Sequence, residues 1–196
     1  MRKRKFFIGI SISVGILFAA FTIYSFQKEL KKERLPAIGK VEEFSLLDQH
    51  GQEFHSRKLL GKVWIADFIF TTCSDICPLM TKNMASLSRT FEKVKGISLV
   101  SITVNPEYDT PDVLKKYEND VTAKADNWFF LSGNREDIRA IVIDSFKLGS
   151  IEEPIFHSGK FALVDRHGYI RGYYEGTETL DVNKLFKDAA ELLKER

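Results

Sequence analysis

The run VWIADFIF, Val63 to Phe70, is almost entirely apolar, β-branched or aromatic, and it ends in TTCSDICPLM. A strand apolar on both sides must be buried on both faces, so it belongs at the centre of a covered sheet. Pro78 has no N–H and tolerates a helix only in its first turn, so a helix must start within Ser74–Pro78. Leu79, Met80, Met84, Leu87 and Phe91 then recur at helical spacing as far as Val94. A buried strand, a short loop and a helix make half of a βαβ unit.

The rest of the chain continues this alternation. EFSLLDQHGQEF (43–54) is a hairpin signal about a DQHG turn, ISLVSITV (97–104) a second buried strand, and WFFL (128–131) a third. Helix patterns follow at DTPDVLKKYENDV, with Asp109 or Thr110 before Pro111, and near Asn134–Phe146. KFALVD and YIRGYY flank a turn at Arg166-His167-Gly168, and Asp181–Leu193 closes as an amphipathic helix. The predicted order is hairpin, β, α, β, α, β, α, β, β, α. That order implies an α/β fold with a mixed central sheet, covered on both faces, in one domain over residues 41–196. A hydrophobic share of 44% with 16 phenylalanines supplies its core.

Ahead of that domain, residues 1–5 form a basic tail and Phe6–Phe26 is a 21-residue run without a charge. At about 1.5 Å per residue it covers roughly 30 Å, the span of a transmembrane helix. A cleaved signal peptide would have a shorter apolar region and a small-x-small site; Ala19-Ala20 inside the run, followed by Phe21, is a weak one. Basic residues flank the run on both sides, so charge counting alone nearly ties for orientation. A five-residue tail before the span and a long domain after it resemble a signal-anchor, which sends the domain out of the cytoplasm. Residues 27–40 read as a charged, semi-stiff tether. The formal charge of +2 includes Arg2, Lys3, Arg4 and Lys5; the 29 basic residues less these four leave 25 against 27 acidic. A near-neutral body without a basic stripe excludes nucleic-acid binding.

Cys73 and Cys77 are the only cysteines. At a helix start the positive end of the helix dipole favours thiolate over thiol, which predicts that both are more ionised than a free thiol. On one helical face their Cα atoms stand about 6 Å apart, within reach of a disulfide. So placed, the sulfurs can also share a soft ion, copper(I) or zinc. As a structural staple the pair is poor, because so small a loop removes little chain entropy. A two-sulfur site wants a third ligand. His50 and His167 stand in turn tetrapeptides and His55 in a polar-flanked stretch, which predicts solvated side chains. His157, at the entrance to the KFALVD strand, can meet the Cys73 loop where strand ends gather.

FIFTTCSDICPLM, VNPEYDTPDVL and FHSGKFALVDRHGYIRGYY, in that order, resemble the Sco (SenC) copper-binding proteins over about residues 43–193. The resemblance implies a thioredoxin-like three-layer fold with an N-terminal β-hairpin extension. It implies one copper ion per chain, Cu(I) or Cu(II), on Cys73, Cys77 and His157, with a Cys73–Cys77 disulfide as the competing state. The implied role is copper delivery to the copper A centre of cytochrome c oxidase, in subunit II, outside the membrane. Two departures stand out: Phe156 replaces the family's usual aspartate before the histidine, and Val104-Asn105-Pro106 replaces VDP. Asp75 and Asp109 are retained; as ordinary residues they would be a solvated loop charge and a helix cap. The same cysteines also allow an extracytoplasmic thiol–disulfide oxidoreductase. A thiol peroxidase on this scaffold is disfavoured, since no arginine neighbours Cys73 in sequence.

Overall fold

Every residue of the strand Val63–Ile69 is buried, as its almost entirely apolar character requires, Asp67 included. The computed structural model that establishes this describes residues 21–22, 35–121, 126–148 and 158–195. The predicted membrane span lies outside the described residues apart from 21–22, and among the described residues no helix is long and apolar enough to cross a membrane. Residues Leu35–Arg196 form one compact unit.

Its strands are β1 (Gly39–Lys40), β2 (Ser45–Asp48), β3 (Glu53–His55), β4 (Val63–Ile69), β5 (Ile97–Thr103), β6 (Trp128–Ser132), β7 (Lys160–Val164) and β8 (Tyr169–Glu175). Its helices are α1 (Cys77–Phe91), α2 (Pro111–Val121), α3 (Arg135–Ala140) and α4 (Thr179–Leu192). The eight strands make one mixed sheet in the order β1-β8-β7-β4-β5-β6-β2-β3. β4, β5 and β6 are parallel and bridged by α1 and α2, whereas β7 joins β4 antiparallel. The predicted mixed sheet and element order are thus present.

The period of two along each strand sorts side chains into two cores. Trp64, Ala66, Phe68, Val100 and Ile102 face one side, where Phe146 meets the rings of Trp64 and Phe68 edge-on at 5.8 and 5.1 Å. Val63, Ile65, Ile69 and Leu99 face the other, where Met80, Met84, Phe91, Leu114, Leu185 and Ala189 pack from α1, α2 and α4. Each large apolar side chain so buried contributes about 1.5–3 kcal/mol.

Three local features differ from the sequence reading. Gly39–Lys40 is not tether: β1 pairs with β8, and Arg171 holds the approach to it. The Arg171 guanidinium donates to Leu35 O at 3.0 and 2.5 Å, to Pro36 O at 3.1 Å and to Asp165 at 2.9 Å. Such fastening comes from one side chain far along the chain, not from a hydrophobic pattern. The predicted helix near 134–146 is regular only as α3, then widens into a π-type turn over Ile141–Ser145 that carries Val142 and Phe146 into the core. Leu79 leaves the α1 core face and is 44% exposed.

Candidate metal centre

Pro78 stands in the first turn of α1, as its missing N–H dictates, and Ile76 is the N-cap residue with no side-chain cap. The free N–H groups at this end therefore need another acceptor. Cys73 provides it. Its half-buried sulfur is pushed up by burial, but the Cys77 thiol and the backbone N–H groups of Cys77, Asp75 and Ile76 donate to it. Together they hold its pKa below that of a free thiol. The sulfur thus occupies the place of an N-cap oxygen, and negative charge on it is stabilised by the helix end.

Cys77 is different. It is 1% exposed, and burial pushes its pKa well up; the hydrogen bond to Cys73 and the charges of Cys73 and Asp67 add to this, against an opposing Phe70 N–H. The expectation that both cysteines ionise readily is therefore corrected for Cys77: desolvation outweighs the helix dipole once the thiol lies on the core face of α1. The helical-face geometry also changes, because Cys73 precedes the helix. A turn closed by Cys73 N–H to Phe70 O at 3.1 Å brings it back over the helix start. Both cysteines are free thiols here, close enough for each to shift the other's ionisation.

Asp67 lies on the β4 face that meets α1. It is fully buried; Oδ1 accepts from Ser101 Oγ at 2.5 Å, while Oδ2 has no hydrogen-bond partner among the described residues. Ser101 Oγ in turn accepts from Trp128 Nε1 at 2.9 Å. Burial outweighs the Ser101 bond and raises the Asp67 pKa to about 7. Tyr117 Oη meets Thr81 Oγ1 at 2.7 Å, and its pKa is raised to about 12 by burial and by the charges of Asp67 and both cysteines. Sequence reading singled out neither Asp67 nor Tyr117. The available signal was an aspartate inside an otherwise apolar strand, ADFIF, six places before Cys73.

His157 lies outside the described residues. Ser158 and Gly159, which follow it, are described. The position a Cβ would take on Gly159 is 3.6 Å from Ile76 Cδ1, between the cysteines, and Gly159 O accepts from Gly176 N–H at 2.6 Å. The strand entrance therefore abuts the cysteine loop. His50, His55 and His167 are exposed, as predicted. His55 meets Ser45 Oγ at 2.6 Å across the β2–β3 hairpin and Glu53 of its own strand at 3.5 Å, an exposed trio. Asp75 is an exposed loop charge, as expected. Asp109 is no cap; it is fully buried and bonded to Thr71 and Thr103, and Thr110 takes the capping position toward Val113 N–H at 3.5 Å.

Among the described residues no third His, Cys, Asp or Glu joins the two cysteines in a metal-binding group. Two adjacent sulfurs, one poised as thiolate, fit a soft ion by donor type and fit copper(I) or zinc best.

Comparison with known proteins bears on the whole unit. The SCO1/SenC family model matches residues 33–194. The SCO1 protein homolog of Bacillus subtilis is 34% identical over 159 residues, 78% of this chain and 82% of that protein. BsSco, reported for its disulfide switch as a member of the Sco family of cytochrome c oxidase assembly proteins, superposes with a TM-score of 0.74. Its identity is 31%, covering 85% of this chain and all of that one. Yeast Sco1 with copper bound superposes with a TM-score of 0.65 at 26% identity, covering 82% of this chain and 95% of that one. The family model covers nearly all of the compact unit Leu35–Arg196, so the chain belongs to the SCO1/SenC family.

Proposed function

We propose that this chain is a membrane-anchored, extracytoplasmic copper chaperone that holds one copper ion through Cys73, Cys77 and His157. Its recipient would be the copper A centre in subunit II of cytochrome c oxidase. The observation that carries the reading is the meeting at Ile76: the two sulfurs converge at the start of α1, and Gly159, two places after His157, approaches the residue between them. An imidazole delivered there would complete a site of two thiolates and one nitrogen, a donor set that serves copper(I) and tolerates copper(II). The copper-bound yeast relative supports copper over zinc, and the uncharged run at 6–26 supports the anchor.

The test is His157→Ala in the purified full chain. Copper stoichiometry and thiolate-to-copper absorption should collapse while thiol alkylation persists; unchanged copper binding would refute the three-ligand site. In cells, deletion should lower oxidase activity and added copper should restore it. A recovery that ignores copper would count against delivery.

The asymmetry of the pair favours one second reading, thiol–disulfide exchange. A half-buried, thiolate-favouring Cys73 and a buried, protonated Cys77 match the roles of attacking and resolving thiols. Rapid reduction of a substrate disulfide by the metal-free protein would move the assignment to that activity.

A further inference from the structure

Asp109 is a fully buried carboxylate in a turn rather than in a core strand. Its Oδ2 accepts from Thr71 N–H at 3.0 Å and from Thr103 Oγ1 at 2.5 Å, and its Oδ1 accepts from Thr71 Oγ1 at 2.5 Å. The two bonds to Thr71 are not needed for the turn that carries Asp109. That turn is closed by main chain, Asp109 N–H to Asn105 O at 2.9 Å, and by Asn105 N–H to Thr103 Oγ1 at 3.0 Å. What the side chain adds is a two-point grip on Thr71. Thr71 is the second residue of the Phe70–Cys73 turn, and both of its donors end on one carboxylate. Two bonds from one residue to the two oxygens of one carboxyl group restrict rotation as well as distance.

We propose that Asp109 is a positioning residue for the cysteine site: by gripping Thr71 it holds the Cys73 sulfur in register with Cys77 and the N–H groups that open α1. The proposal rests on the reading of Cys73 and Cys77 as the working pair. Disulfide closure and shared coordination of one ion both require the two sulfurs at a set separation. A loop that must be ordered anew at each event loses effective concentration of one thiol at the other.

The effect can be measured without metal. In a glutathione buffer, the two protein thiols and one glutathione disulfide exchange with the protein disulfide and two glutathione thiols. The equilibrium constant of that exchange reports the effective concentration. Asp109→Ala in the full chain should lower it about tenfold, and Thr71→Val severalfold. Thr71→Ser, which keeps both donors, should remain within about twofold of the parent. Thr103→Val removes a bond from the same carboxylate, and the acceptor of Asn105 N–H, but leaves both Thr71 bonds and the main-chain closure of the turn. It should therefore lower the thermal midpoint with little change in the exchange constant.

An unchanged constant in Thr71→Val and Asp109→Ala would overturn the proposal, as would an equal fall in Thr103→Val. Should Asp109→Ala not fold, Thr71→Val against Thr71→Ser decides alone. No arm involves copper. Loss of the His157 ligand reading would therefore leave these outcomes intact, and their failure would leave that reading intact.

Discussion

The two faces of the central sheet differ most where β4 and β5 reach their carboxyl ends. On one face stand Ala66, Phe68, Val100 and Ile102, closed over by Phe146. On the other stand Asp67, Ile69, Ser101 and Thr103, and above them Cys77 starts α1. The same two strands therefore build a dry core on one side and a polar seam on the other. The comparison teaches where stability and chemistry are kept apart. The dry face is packed with apolar side chains, whereas the seam retains a carboxylate oxygen with no hydrogen-bond partner among the described residues, beneath a thiol. Buried polar groups left incomplete cost stability, and such costs concentrate at working sites.

The sharpest way to break this contrast is Phe146→Ala. Loss of a fully buried ring from the dry face should cost about 3–5 kcal/mol, read by urea unfolding. The ratio of Cys73 to Cys77 alkylation rates in the remaining folded protein should not change. A changed ratio would mean that the two faces are mechanically coupled.

Asp67 tests the seam. Its folded pKa of about 7 lies above the ordinary 3.8, so the folded state holds this proton more tightly than the unfolded chain. Its contribution is fully present below about pH 4 and is lost as pH rises through 7, by at most on the order of 4 kcal/mol. Asp67→Asn should remove that fall, which denaturation at pH 4, 6 and 8 would reveal. A parallel pH profile in the variant would show that the carboxyl titrates normally.

A smaller effect concerns the cysteines. At neutral pH Cys73 should react with iodoacetamide at least about tenfold faster than Cys77, because one sulfur is held by N–H groups and the other is buried. Peptide mapping after brief labelling gives the ratio directly. Equal labelling would contradict the asymmetry. The smallest effect is expected at the seam's margin: Tyr117→Phe removes the bond to Thr81 and should cost about 1 kcal/mol.

How far the sequence carried is seen at individual residues. β4, β5 and β6 were legible because their side chains are mostly apolar, β-branched or aromatic, as strands buried on both faces must be. Pro78 located the start of α1 to within a few residues. The ionisation of Cys77 was misread because its spacing to Met80 and Met84 puts it on the core face, and desolvation there exceeds a helix-end effect. Asp109 was read as a cap because its partner, Thr71, precedes it by 38 residues, and no local pattern encodes that meeting. β1 was hidden for a related reason: a two-residue strand has no periodicity, and its support comes from Arg171.

That arginine has a mechanical consequence. Any tension on the segment preceding Leu35 would reach the domain first at Leu35 and Pro36, whose carbonyls are tied to Arg171 and through it to Asp165. β1 then lies behind a bracket, not at the loaded end, so a pull would have to shear charged hydrogen bonds before it could peel Gly39–Lys40 from β8. A pull at Leu35 would thus spend itself on the Arg171 bracket before it reached β4, the strand from which the Cys73 turn departs.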